Sequence, residues 1–545
     1  MLTCLGKLGV KKVLFILLLV FASTQTKAAV WQWSVKIHNV VSSETNGHPC
    51  AFLWVPESCK QIRAVLVGNH NMLEEGILEH SGFRKRMAAL GIAEIWVTPG
   101  LNQVWEPNKV NGQAAFNLMM DSLAVVSGYT ELKYAPVIPM GHSAMATFPW
   151  NFAAQNNERT LAILSIHGDA PSTNLTGYGR PNLDWSNLKI DGIPGLMVEG
   201  EYEWWEARVE PGLKYKQYHP ASCVSFLCDA GRGHFDFSEQ LVDYLGLFIE
   251  KAVKYRLPSK FEPGKPVRLT PVNPQKGWLA DRWHKDSLAT ANAAPYSRYK
   301  GSKENAFWYF DKEITKKTEA IYQQQRAKQK QYLGYSNNGE LLSYNSKNFN
   351  GYQINFKPDT DGVTFHLLPV FTDSLHSKIV NKHTRTKPVI KRICGPVEKL
   401  NDSTFAVRFY RMGLNNTKRT ADICLMASND GDITYKSCVQ QSLMHIPYPI
   451  KDGVTQQIIF DSIDNINQRI KFVDLHATST SGMSVYFYVR EGPAEIINGK
   501  LVLTGIPPRA KFPVKITVVA WQYGRSIEPK IQTAVPVERS FYVVK

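Results

Sequence analysis

Between residues 30 and 257, short apolar runs rich in β-branched residues alternate with longer amphipathic stretches. This alternation constrains the fold most, because it is typical of a parallel β-sheet whose strands are joined by crossover helices. Seven runs predict strands at 50–56, 63–69, 92–99, 135–141, 161–168, 195–200 and 223–230. Four stretches predict helices at 82–90, 113–128, 147–156 and 238–257. We therefore expect an α/β domain with a doubly wound, mostly parallel sheet over residues 30–257.

The other half of the chain has a different pattern, and 545 residues are too many for one hydrophobic core. Residues 258–344 begin as a Pro/Lys-rich connector and continue into a charged helical pattern at 302–331, which we expect to pack on the α/β domain. From about residue 345 the apolar residues alternate with period two, which predicts strands. Because one β-sandwich has about 100 residues, we predict two all-β sandwiches, at 345–451 and 452–545.

Residues 1–29 have the features of an export signal. Lys7, Lys11 and Lys12 precede a ten-residue apolar run at 13–22, and small residues follow it. A membrane-spanning helix needs about 20 apolar residues, so this run is too short for an anchor. We expect a signal peptide, no transmembrane segment, and an exported protein that is periplasmic, at the cell surface or extracellular.

The chain is strongly basic, with 63 lysines and arginines against 47 aspartates and glutamates and a formal charge of +16. Such a surplus attracts polyanions through long-range electrostatics. Together with export, it favours an acidic polysaccharide or lipopolysaccharide as partner, and no nucleic acid is expected. A charged surface that serves solubility alone explains the surplus equally well. The sequence does not indicate an oligomeric state.

Seven cysteines lie outside the predicted signal, and an oxidising compartment permits disulfides. Two pairings suit the sequence: Cys424 with Cys438 across a predicted hairpin, and Cys50 with Cys59 around a predicted strand. The cysteine spacings match no zinc site, and no metal or nucleotide motif occurs elsewhere. We therefore expect no cofactor.

Three residues with complementary chemistry follow predicted strands. Ser143 lies in "GHSAM", Glu203 in "GEYE" and His234 in "GRGHF". A serine attacks a carbonyl when a histidine takes its proton and a carboxylate fixes the histidine tautomer. Each residue alone is more often structural, but their joint occurrence at successive strand ends predicts a Ser-His-Glu triad. Met145 stands where the nucleophile pattern G-x-S-x-G has its second glycine, which predicts a wider turn.

These three motifs, together with the parallel sheet, resemble the α/β-hydrolase superfamily of serine esterases over residues 30–257. The resemblance implies that Glu203 is the triad acid, because the family's acid usually follows a strand-ending glycine by three residues. Glu201 and Asp169 remain alternatives for this role. We expect an oxyanion hole formed by the backbone N–H of Ala144 and a second N–H from the loop containing Asn69, His70 and Asn71. The alternative for that loop is a polar cluster that caps the following helix.

Aromatic and arginine residues are frequent on the predicted loops of this domain. The candidate substrate-binding residues are Trp105, Tyr178, Arg180, Trp185, Trp204, Trp205, Arg208 and Arg232. Aromatic rings stack on sugars but also fill cores, and both roles are open for Trp150 on the predicted helix after Ser143. Arginine binds carboxylates well. These residues predict a carbohydrate esterase that acts on an acidic glycan.

The segments "NHNMLEE", "GHSAM", "LMVEGEYEWWEAR" and "GRGHFDF" are similar to exported esterases of polysaccharide-degrading bacteria. One such group, carbohydrate esterase family nineteen, removes methyl esters from pectin. The resemblance implies hydrolysis of methyl esters, with acetyl esters as the next choice.

Residues 477–524 resemble a bacterial immunoglobulin-like module of surface proteins. The alternatives are a non-catalytic glycan-binding or adhesion protein and a general esterase or lipase.

Overall fold

The computed structural model describes residues 30–101, 112–177, 180–203, 205–260, 262, 264–410, 416 and 418–545. The predicted signal peptide lies outside these residues. No helix in the described part of the chain is long and apolar enough to cross a membrane.

An eight-stranded sheet forms the centre of the N-terminal part. Its strands are β1 Trp33–Lys36, β2 Cys50–Trp54, β3 Ala64–Asn69, β4 Ile92–Thr98, β5 Val137–His142, β6 Ile163–Ile166, β7 Pro194–Gly200 and β8 Cys223–Asp229. The spatial order is β1-β2-β4-β3-β5-β6-β7-β8. In this order, all neighbouring strands from β4 to β8 are parallel to each other. Strand β2 is antiparallel to both of its neighbours, β1 and β4. Each of the seven predicted strands is present, and β1 is an additional edge strand.

Helices cover both faces of this sheet. They are α1 Glu74–Leu78, α2 Ser81–Leu90, α3 Gly112–Ser127, α4 Thr147–Gln155, α5 Trp205–Tyr218 and α6 Glu239–Arg256. Leu66 of β3 packs into one core, and its neighbours Val65 and Val67 pack into the other, as alternation along a strand requires. Burial on both faces explains why the strands are continuous apolar runs. The sequence pattern missed α1, which has only five residues, and α5, which contains Pro211.

The segment after α6 packs against the α/β part. It contains β9 Trp278–Asp281, β10 Ala294–Pro295, β11 Ala306–Tyr309 and α7 Lys312–Gln323. The three strands form one sheet in the order β10-β9-β11. Tyr309 Oη donates to the Phe226 carbonyl at 2.6 Å, and Tyr244 Oη and Thr318 Oγ1 are 2.7 Å apart. The helix is shorter than the predicted 302–331 because its first residues form the buried strand β11.

Ten strands make up the first β-module. They are β12 Tyr332–Asn337, β13 Glu340–Leu341, β14 Tyr352–Asn355, β15 Thr364–His366, β16 Leu368–Thr372, β17 Val389–Cys394, β18 Val397–Lys399, β19 Thr404–Val407, β20 Asp422–Asn429 and β21 Cys438–His445. They form sheets in the orders β13-β12-β16, β14-β21-β20-β17 and β15-β19-β18. The module begins near residue 332, not 345, because β12 pairs with β16 and buries Tyr335 in its core.

The second β-module is also built of short strands. They are β22 Ile458–Phe460, β23 Ile466–Asn467, β24 Phe472–Asp474, β25 Ala477–Ser479, β26 Tyr486–Glu491, β27 Ala494–Ile497, β28 Lys500–Leu503, β29 Val514–Trp521 and β30 Val537–Val544. The sheet orders are β23-β30-β29-β26, β24-β28-β27 and β22-β25. Tyr488, Trp521 and Tyr523 pack into the core of the first module. The two modules therefore share a core across the predicted boundary at 451/452.

Neither predicted cysteine pairing is formed. The register of β20 and β21 places Cys424 opposite Leu443 and Cys438 opposite Asn429. Cys424 instead has Cys394 as its cross-strand partner. Cys50 and Cys59, like the other described cysteines, are free thiols.

Candidate active site

Ser143 lies on a sharp turn between β5 and α4. Its φ is 50°, a left-handed conformation that a non-glycine residue adopts only at a cost. One turn of 3₁₀ helix, Ser143–Met145, follows. A Cβ on Gly141 would stand 1.9 Å from the carbonyl oxygen of Met145, so only glycine fits there. The turn is consequently close rather than wide, and the Met145 side chain packs towards Gly100.

The loop after β8 carries His234 to the serine. Its Nε2 lies 2.7 Å from Ser143 Oγ. The backbone carbonyl of His234 is bonded to His142 Nε2 at 2.9 Å. The bond from His142 fixes the backbone of His234, and the bond to Ser143 orients the His234 imidazole towards the serine.

Glu203 lies behind His234 and joins two histidines. Oε2 is hydrogen-bonded to His234 Nδ1, and Oε1 is hydrogen-bonded to His167 Nδ1 and the Gly200 N–H. Burial disfavours the charge on Glu203, but the two imidazoles outweigh burial and hold the pKa of the carboxyl well below its usual range. Glu203 is therefore an ionised acceptor facing both histidines.

His167 was not identified from the sequence. It follows β6 with a φ of 50°, and its Nε2 is 3.1 Å from the Asp236 carbonyl. Burial lowers the pKa of His167, but the Glu203 carboxylate outweighs burial and raises it overall. Ser143, Glu203 and His234 were chosen because they follow predicted strands. His167, in "SIHGD", also lies at the end of a predicted strand, so the same pattern would have identified it.

The two alternative acids have other partners. Glu201 Oε1 accepts from Lys436 Nζ at 2.8 Å, and Oε2 accepts from the Gly231 N–H at 2.8 Å. Asp169 accepts from the hydroxyls of Thr147 and Thr176, both at 2.5 Å. Of the three carboxylates considered, Glu203 is the one bonded to His234.

The polar loop after β3 is held by a buried glutamate. Glu74 accepts the N–H groups of Asn71 at 2.9 Å, Met72 at 3.0 Å and His142 at 2.7 Å. The N–H of His70 donates to the Val97 carbonyl at 2.9 Å. The expected second oxyanion donor is therefore not a free backbone N–H of His70 or Asn71, because both are engaged. Asn69 Oδ1 accepts from the Leu101 N–H at 2.9 Å. Ala144 follows Ser143 directly in the 3₁₀ turn.

The structure describes the side chains of four predicted substrate-binding residues, Arg180, Trp185, Arg208 and Arg232. The Arg208 Nε donates to the Gly168 carbonyl at 3.0 Å, and Arg232 contacts Asp236 at 3.1 Å and Asp430 at 2.5 Å. Both guanidinium groups are thus buried and held by the protein itself. Trp185 donates to Asn151 at 2.8 Å and packs on the core, while Arg180 is exposed. Trp105, Tyr178 and Trp204 lie outside the described residues, as does the side chain of Trp205.

Trp150 belongs to the core, not to the site. It is fully buried, and its indole donates to the Asp169 carbonyl at 2.7 Å.

The mostly parallel sheet thus has helices on both faces, and Ser143, Glu203 and His234 follow the ends of its strands. No protein-family model and no curated protein matches the sequence.

Comparison with solved structures yields serine hydrolases and esterases at low identity. FphF, a fluorophosphonate-binding serine hydrolase of Staphylococcus aureus, is 12% identical, with 41% of this chain and 97% of that chain covered at a TM-score of 0.30. LpqC, a poly(3-hydroxybutyrate) depolymerase of Bordetella parapertussis, is 13% identical, with coverages of 42% and 92% and a TM-score of 0.28. Est1E of Butyrivibrio proteoclasticus is 13% identical, with coverages of 41% and 99% and a TM-score of 0.25.

Proposed function

We propose that this protein is a serine-dependent carboxylic ester hydrolase. The observation that carries the proposal is the 2.7 Å contact between Ser143 Oγ and His234 Nε2, on a turn where Ser143 has positive φ. A serine within hydrogen-bond reach of a carboxylate-bonded histidine is the arrangement that nucleophilic acyl transfer needs. Glu203 completes the chain of hydrogen bonds on the other side of the imidazole.

Each residue has a defined role in this mechanism. His234 Nε2 accepts the Ser143 proton as Oγ attacks the ester carbonyl, and the ionised Glu203 stabilises the resulting imidazolium. The N–H of Ala144 donates to the developing oxyanion, an interaction worth about 2.7–4 kcal/mol in such sites. His234 then protonates the departing alcohol, and water attacks the acyl-enzyme with His234 again as base. Glu203 needs no proton in this cycle.

For the substrate we propose a methyl-esterified acidic polysaccharide of the pectin type, with an acetylated polysaccharide as the next choice. The net charge of +16 supports a polyanionic partner. With a methyl uronate, methanol leaves and the uronyl carbon stays bound to Ser143 Oγ until water releases the glycan carboxylate. With an acetyl ester, the glycan alcohol leaves and an acetyl group stays bound to Ser143 Oγ until water releases acetate. We further propose that the protein is exported and that its second β-module is an immunoglobulin-like spacer.

A panel of esterified polysaccharides tests this function. The purified protein is incubated with methyl-esterified and acetylated pectins, and methanol and acetate are quantified over time. The proposal predicts methanol release that Ser143→Ala abolishes. Acetate release without methanol moves the substrate to acetyl esters. Cleavage of long-chain acyl esters alone identifies a general esterase or lipase. Glycan binding with no ester hydrolysis identifies a non-catalytic glycan-binding protein.

A further inference from the structure

A cavity of about 510 Å³ lies between the α/β part and the first β-module. On one side it is lined by His70, Met72 and Phe235, and Phe235 directly follows His234. Volumes of about 300–1,000 Å³ are typical of sites for small ligands. Because the rings of Phe235 and Phe349 both contact the ring of His234, the cavity lies next to the candidate active site.

Phe349 of that module has an unusual position for an exposed aromatic residue. Its ring centroid lies 5.1 Å from that of Phe235 and 6.0 Å from that of His234, both edge to face. The residue lines the cavity and remains 49% exposed. A half-exposed ring beside an apolar neighbour offers a surface on which the apolar face of a sugar ring stacks.

The charged residues that line the cavity are Glu44, Lys418, Arg419 and Asp422. Arg419 contacts Glu44 at 2.6 Å and donates to the Asn71 carbonyl at 2.5 Å, and Asp422 is bonded to His445 at 2.8 Å. Lys418 Nζ donates to the Ser43 carbonyl at 3.1 Å, and among the described residues no carboxylate lies within ion-pair distance of it. The Lys418 ammonium group is therefore open to an ion pair with a ligand carboxylate, while Asp422, whose partner His445 is a cation only when protonated, lies on the same wall.

We propose that this cavity binds a carboxylate-bearing sugar unit next to the unit whose ester is cleaved. The sugar ring stacks on Phe349, and its carboxylate lies near the ammonium group of Lys418. The inference rests on the proposed function and adds to it a uronate subsite and a role in substrate binding for the first β-module.

The kinetic test uses a partially methyl-esterified oligogalacturonide and, separately, p-nitrophenyl acetate. Phe349→Ala is expected to raise the KM for the oligosaccharide about tenfold, and Phe349→Trp to keep it within about threefold of the wild-type value. Lys418→Gln is expected to raise the KM about threefold, and to have no effect with a fully esterified oligosaccharide. Phe472→Ala is the matched control, because Phe472 is 51% exposed and lies in the second β-module.

Binding without turnover separates this inference from the proposed function. Calorimetry on the Ser143→Ala protein measures oligosaccharide affinity directly, and adding Phe349→Ala is expected to weaken it about tenfold. That loss supports the subsite even if the wild-type protein cleaves no ester. An affinity unchanged by Phe349→Ala overturns the inference. Equal effects of Phe349→Ala on both kinetic substrates also overturn it, because they indicate a disturbed His234.

Discussion

Glu201 and Glu203 are two positions apart in the chain, yet their carboxylates serve different parts of the protein. Glu203 is bonded to His234 and His167, whereas Glu201 forms a fully buried ion pair with Lys436 of the first β-module. Both residues follow strand β7 in the sequence. Because their partners differ, we expect different effects from substituting each one.

Glu203→Gln is expected to lower kcat by about 10³–10⁴-fold, because the amide no longer stabilises the His234 imidazolium. Glu201→Gln is expected to change kcat by only a few fold, and to lower the free energy of unfolding by about 1–3 kcal/mol, because Lys436 loses one carboxylate partner and keeps the other, Asp286. Steady-state kinetics and urea denaturation of both variants provide the two readouts. A large loss of kcat in Glu201→Gln, with Glu203→Gln active, would assign the acid to Glu201.

His167→Gln tests the second histidine on Glu203. Without the His167 bond, one carboxylate oxygen keeps only the Gly200 N–H, so Glu203 is less firmly oriented towards His234. We expect kcat to fall roughly 10–10²-fold, less than the full contribution of general acid–base catalysis, with KM for p-nitrophenyl acetate nearly unchanged. His219→Gln is the control, since His219 stacks on Tyr215 and has no contact with Glu203 among those described. An unaltered kcat in His167→Gln would show that Glu203 is held without it.

Gly141→Ala tests the close turn at Ser143. The added methyl group meets the Met145 carbonyl oxygen at 1.9 Å, and a backbone atom cannot move aside without opening the turn. We expect a destabilisation of about 1–3 kcal/mol together with a loss of activity at temperatures where the variant is folded. Gly47→Ala, whose methyl group would meet nothing closer than 3.6 Å, should match the wild-type protein in both. Wild-type activity in folded Gly141→Ala would contradict a turn fixed by this contact.

Glu94 makes stability depend on pH. Burial raises the pKa of its carboxyl to about 8, although Arg84 at 3.2 Å opposes the shift. The folded state therefore holds a proton that the unfolded state releases above about pH 4.5, so stability falls as pH rises towards 8. In urea denaturation, the free energy of unfolding of the wild-type protein should fall between pH 5 and 8, by a few kcal/mol at most from this group. Glu94→Gln should show a smaller fall; parallel curves for the two proteins would contradict the shift.

The α/β part follows closely from the sequence because its strands are buried on both faces and read as continuous apolar runs. Ser143, Glu203 and His234 were recognisable because parallel strands bring their carboxyl ends to one edge of the sheet. The pairing of Arg232 with Asp430 was not recognisable, since its partner lies about 200 residues away in a β-module. Phe349 was missed for the same reason: only the packing of that module on the α/β part brings it to His234.

Covalent capture of the nucleophile tests the catalytic role of Ser143 most directly. The folded protein is treated with a fluorophosphonate, and the adduct is located by peptide mass spectrometry, with Ser143→Ala treated in parallel. We expect one adduct, on Ser143, with stoichiometric loss of esterase activity and no adduct in Ser143→Ala. An unlabelled folded protein, or an adduct on another residue, would contradict that role.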